Sequence, residues 1–120
     1  MTVQRSFPYD VFNAFLHEQV ARGRLTLIPY APPLHDAFYS AKTRFPLEMA
    51  VFEFGKTKDG LHHYCRTLTP IFDQYTEAGI ILPSGANPKI ERTIALNGTE
   101  APKKEMIKEI ARHICDVLNS

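Results

Sequence analysis

Nine prolines, placed from Pro8 to Pro102, limit every regular element this chain can form. A proline fixes φ and has no N–H. It is tolerated in the first turn of a helix or in a loop, and it disrupts a helix interior or a central strand. Here the prolines stand singly or paired, as at Pro32-Pro33, and most fall in loops or near the ends of patterned stretches. They punctuate the chain and form no low-complexity tract. Between them lies ordinary globular material, with 44% hydrophobic and 22% charged residues over 120 positions. A chain of that size can bury a core without metal or disulfide staples. No repeat, linker or shift of composition divides it, so residues 1–120 are expected to form a single α+β domain.

The first helix is expected to open at Phe7-Pro8-Tyr9, with Pro8 in its first turn. Val11, Phe12, Phe15, Leu16 and Val20 then fall on one side, Asp10, Asn13 and His17 on the other, and Gly23 supplies a stop. Residues 24–30 alternate as a strand. Leu34, Ala37, Phe38 and Ala41 keep helical spacing, which predicts a short helix over 34–43. Residues 47–54 are apolar on both faces apart from Glu48 and Glu53, and so predict a central strand.

After a polar turn over 56–60, with Asp59 as N-cap, Leu61, Tyr64, Cys65, Leu68, Ile71, Phe72 and Tyr75 fit one helical stripe. The stripe runs through Pro70, which predicts one kinked helix ended by Gly79. Residues 80–82 and 89–97 read as a hairpin. The last helix spans 102–118, with Ile107, Ile110, Ala111, Ile114 and Leu118 inward. The resulting order is α, β, short α, β, α, β, β, α. It predicts a small mixed or antiparallel sheet of three or four strands, with three main helices packed mostly on one face. Leu68, Phe72 and Ile114 are the expected core anchors.

The charge balance disfavours whole classes of function. A net charge of +1 is far from the basic excess of a dedicated nucleic-acid binder. Lys104, Lys108 and Arg112 form a row on the last helix, but Glu105, Glu109 and Asp116 run beside it. With Arg22 and Arg24 they are the only nucleic-acid candidates, and nucleic acid is not the expected partner. No apolar run approaches the roughly 18 residues of a membrane span. The start of the chain lacks an apolar signal core. Two distant cysteines, Cys65 and Cys115, suit reduced thiols in a cytoplasmic protein better than a disulfide framework. Asn97-Gly98-Thr99, a sequon by pattern, reads as a turn.

Three constellations could carry chemistry. His62, His63 and Cys65 with His113 and Cys115 contain zinc-ligand types. On helices, however, the thiols point inward and His63 lies about 160° away from Cys65. No metal and no cofactor is therefore expected. A Cys65 nucleophile with His62 three residues earlier fails on the same burial. Asp36, Glu53 and Lys56 are similar to the acid–acid–lysine set of metal-dependent nucleases. That set needs the second acid and the lysine on one face of a strand, and the spacing of Glu53 and Lys56 satisfies this only with a bulge at Gly55. Together with His35 these residues mark the place to look for a small hydrolase or ligand-binding site.

The first helix offers the other direction. Its apolar residues cover about half its circumference, wider than one core-facing stripe requires. Excess apolar surface on a small domain points to a partner or to self-association. Tyr9, Phe12, Leu16 and Val20 are then the binding residues of a cytoplasmic protein-binding module: a regulator, inhibitor, adaptor or chaperone, expected as a homodimer and not as an enzyme.

Overall fold

The computed structural model describes residues 6–26, 32–82, 89–90 and 101–119. Helix α1 (Phe7–Ala21) is the hub. It opens with Pro8 in the first turn, and it ends in a Schellman motif. There the N–H of Gly23 bonds the carbonyl of Val20 at 3.0 Å, and that of Arg24 bonds Gln19 at 2.8 Å. The motif requires a left-handed residue, and Gly23 supplies it with φ +74.

Helix α2 (Pro32–Arg44) follows, longer than the spacing alone suggests because both prolines lie in its first turn. Strands β1 (Phe54–Lys56) and β2 (His63–Cys65) pair antiparallel, and α3 (Leu68–Glu77) follows at once. A second Schellman motif at Gly79 closes α3, with Ile80 N–H bonding Tyr75 O at 3.0 Å. Strands β3 (Ile81–Leu82) and β4 (Lys89–Ile90) pair antiparallel, and α4 (Ala101–Leu118) completes the chain.

The α+β class therefore stands, but the sheet does not match its expectation. Among the described residues there are two separate two-stranded sheets, not one sheet of three or four strands. Residues 47–54 are mainly turns: Phe45 O accepts Met49 N–H at 2.9 Å and Met49 O accepts Phe52 N–H at 3.0 Å. Only Met49 and Phe52 of that run are fully buried, a spacing of three that suits a helical turn and not a pleated strand. The kinked helix is also replaced. Residues 63–65 are strand, and α3 begins at Leu68 with Pro70 in its first turn, where no N–H donor is needed. Within residues 24–30, Thr26 makes an isolated bridge and 27–30 lie outside the described residues. So do residues 91–97 of the predicted second hairpin strand, including the turn at Asn97.

Packing explains the wide apolar belt of α1. Phe12 meets Phe72 and Tyr75 of α3 edge-on, each at 5.0 Å. Phe15 meets Phe38 of α2 at 5.5 Å, and its carbonyl faces Cys115 of α4. Three helices thus enclose the first, and Val11 through Leu16 are all buried, Asn13 included. A helix apolar around most of its circumference is a core helix. Leu68, Phe72 and Ile114 are buried as expected. The Cα radius of gyration, 13.5 Å, matches the roughly 13–14 Å of a packed chain this long. No helix among the described residues is long and apolar enough to cross a membrane.

Candidate functional site

The seam between α2 and β2 holds the densest set of titratable side chains. Its geometry follows from the hairpin. Asp59-Gly60 makes the turn: the Asp59 carboxylate accepts the Leu61 N–H at 3.0 Å and the Thr57 hydroxyl, and Gly60 takes φ +70. The resulting register sets Phe54 opposite Cys65, Gly55 opposite Tyr64 and Lys56 opposite His63. Thr57 N–H bonds His62 O, and Arg66 N–H bonds Glu53 O. The N–H groups of His63 and Cys65 consequently point away from β1.

Adjacent residues of α2 satisfy both. Asp36 Oδ1 accepts the His63 N–H at 2.9 Å, and His35 Nδ1 accepts the Cys65 N–H at 3.0 Å. Two side chains thereby cap a strand edge that would otherwise need a third strand. His35 also stacks on Tyr64 at 5.1 Å, and His63 stacks on Tyr39 at 3.5 Å. The second oxygen of Asp36 lies 2.7 Å from Nδ1 of His62. Burial pushes the Asp36 carboxyl up, but the bonds from His62 and His63 outweigh it and hold the group below its ordinary range. Asp36 is therefore a carboxylate, and His62 donates from Nδ1 with Nε2 turned away.

That orientation is half of an acid–base device: a carboxylate fixes the imidazole, leaving its other nitrogen to take a proton. The other half is missing. No hydroxyl or thiol bonds His62 Nε2 among the described residues. Nor do the described residues contain a group of three or more His, Cys, Asp or Glu that could hold a metal ion.

The remaining sequence candidates separate. The β1–β2 register runs without a bulge at Gly55, so Glu53 and Lys56 emerge on opposite faces and the acid–acid–lysine set does not assemble. Cys65 sits on a strand, so its helical relationship to His62 and His63 does not exist, yet its thiol is fully buried. Burial raises that thiol to about 11, and the Cys115 thiol to about 12. His62, His63 and His113 are half-buried and engaged. His113 bridges α2 and α4: Arg44 donates to Nδ1 at 3.2 Å, while Nε2 lies 3.0 Å from Ser40 Oγ. Because arginine only donates, neutral His113 carries its proton on Nε2 and donates to Ser40. It cannot serve as the base for that serine. Arg22 is committed to Asp116 at 2.7 Å and Glu18 at 3.6 Å, which weakens the basic row further.

Of the four residues read as an apolar docking stripe, Tyr9, Phe12 and Leu16 are buried in the protein's own core, and only Val20 is exposed. The stripe fails as a surface because α2, α3 and α4 enclose it. The exposed apolar side chains lie elsewhere, chiefly Leu47 at 87% and Val51 at 54% exposure on the turn after α2, and Leu61 at 76% on the turn between β1 and β2. Sequence reasoning missed Leu47 and Val51 by placing 47–54 in a central strand. It also missed the Asp36–His62 contact, although Asp59-Gly60 between two short patterned runs is a hairpin signal. Comparison of the chain with protein-family models, curated proteins and solved structures finds no match.

Proposed function

We propose that this chain is a protein-binding module that associates with a second copy of itself through the turn between α2 and β1. The observation that carries the reading is the outward pair Leu47 and Val51, beside the inward pair Met49 and Phe52. The turn buries Met49 and Phe52 and offers Leu47 and Val51. Exposed leucine and valine suit a self-complementary contact, since an isologous interface places the same patch on both sides. The contact is small, so the dimer is weak and exchanging. The commitment of Asp36, His35 and His113 to structural bonds supports a binding role over a catalytic one. Two cysteines kept as free thiols suit a reducing, cytoplasmic setting.

Sedimentation velocity from micromolar to near-millimolar protein tests this. The wild type should show a concentration-dependent shift toward the dimer, and Leu47→Asp with Val51→Asp should abolish it without altering the circular dichroism. A wild type that stays monomeric throughout, or a double variant that associates equally well, overturns the reading.

A ligand-binding role centred on Asp36 keeps one specific support, the oriented imidazole of His62. Under that reading a small ligand would shift the His62 ring signals in NMR and lose affinity in Asp36→Asn. Unmoved signals across a panel of small anions and divalent ions count against it.

A further inference from the structure

The two bonds that fasten β2 to α2 respond to protons in opposite ways. Cys65 N–H is held by a nitrogen lone pair of His35. His63 N–H is held by a carboxylate oxygen of Asp36, whose other oxygen faces His62. A proton added to the His35 ring occupies the lone pair that Cys65 needs, and it sets two N–H groups against each other. The ring is buried, so water has little access to the added charge. A proton added to His62 enters at the free Nε2 and turns the Asp36 contact into an ion pair.

We propose that the α2–β2 seam is a pH-sensitive latch. Protonation of His35 under mildly acidic conditions releases the Cys65 end of β2, while Asp36 keeps hold of the His62–His63 end. The inference does not depend on self-association.

The charged and titratable surroundings are consistent with this polarity. From α2, Asp36 faces His62 and His63, and Lys42 is near enough to Cys65 to act on its thiol. From β2 come His62, His63, Tyr64 and Cys65, and from β1 Lys56 stands opposite His63. Among these described groups the carboxylate is engaged by its two partners, so it serves the latch that stays closed. In the unfolded chain an imidazole titrates near 6.5. Only a ring with an unprotonated Nδ1 accepts the Cys65 N–H, so acidification through that range draws the equilibrium toward the open hairpin. As a linkage sign, the open form binds more protons and the closed form gains with rising pH.

Residue-resolved amide exchange, corrected for the intrinsic pH dependence of exchange, reads the latch directly. Between pH 7 and pH 5 the protection of the Cys65 amide should fall by about tenfold, the loss of one hydrogen bond in an apolar setting. The His63 amide should keep its protection or gain. In His35→Gln the amide oxygen accepts the same N–H without titrating, and the pH dependence at Cys65 should vanish. Equal Cys65 protection at the two pH values overturns the proposal, as does an undiminished fall in His35→Gln. Should that variant not fold, the ring nitrogen shifts of His35 in the wild type decide. The proposal requires Nδ1 to take up its proton in step with the Cys65 deprotection, and a ring that stays neutral while Cys65 opens overturns it.

Discussion

His62 and Asp36 meet through Nδ1 and Oδ2 at 2.7 Å across 26 positions of sequence. The pair, half-exposed at 39% and 37%, ties the hairpin to the helix that carries the carboxylate. Because Asp36 also holds the His63 N–H, one side chain makes two of the bonds that dock β2.

Replacing Asp36 by alanine should therefore loosen the hairpin and lower global stability by about 1–2 kcal/mol, the worth of one or two part-exposed hydrogen bonds. Asparagine, which keeps an acceptor for His63, should cost less. Urea unfolding measures both. The pH dependence has a fixed sign. The folded carboxyl titrates below its ordinary value, so its contribution is complete above about pH 3.9 and disappears as pH falls through the lowered folded value. Acid titration of Asp36→Asn should lack that component.

The same comparison of buried and exposed positions separates Phe12 from Leu47. Phe12 is fully buried between Phe72 and Tyr75, and Phe12→Ala should cost about 3–5 kcal/mol from lost burial and the cavity left behind. Leu47→Ala removes a side chain that is mostly in water and should change monomer stability by no more than about 0.5 kcal/mol. A large loss at Leu47 under monomeric conditions would show that the turn packs inward.

His113 should be found with its proton on Nε2. Arg44 can only donate to Nδ1, and this reverses the polarity that a serine–histidine pair would need for catalysis. Long-range nitrogen–proton correlation spectra distinguish the two tautomers. Ser40 should accordingly resist serine-directed phosphonates at concentrations that label an activated hydroxyl. A Nδ1–H tautomer would mean that the Arg44 contact is not made in solution.

What could be read in the sequence depended on element length. α1, α2 and α4 each carry enough periodic apolar residues to define a face, and Gly23 and Gly79 stand where a left-handed residue is required. The three-residue strands are too short to show a period. Tyr64, Cys65 and Leu68 continued the spacing of Ile71, Phe72 and Tyr75 into a helix that begins only at Leu68. Pro70 gave the better signal, because a proline belongs to a first turn more readily than to a helix interior. The width of the α1 belt was visible, but its cause was not. Whether a broad apolar face meets a partner or three helices of the same chain depends on tertiary packing, which no local pattern records. The seam was hidden for a related reason: Asp36 and His62 are brought together by a turn and by the docking of a helix, not by spacing.

The two thiols yield a prediction with both a kinetic and a pH component. Cys65 and Cys115 are fully buried, and burial raises them to about 11 and about 12. A thiolate is the reacting species, so neither should react with an aromatic disulfide reagent at pH 8 in the native protein. Both should react in urea, and the slow native rate should rise with the population of opened structure. The folded groups titrate above the ordinary thiol value, near 8.5. Their contribution to stability is therefore whole below that value and declines as pH rises toward about 11 and 12. Cys65→Ala with Cys115→Ala should flatten the alkaline limb of the stability profile while lowering its neutral plateau through lost packing. Rapid stoichiometric labelling of Cys65 in the native protein at neutral pH would place its thiol at an open surface and remove the basis for treating the seam as structural.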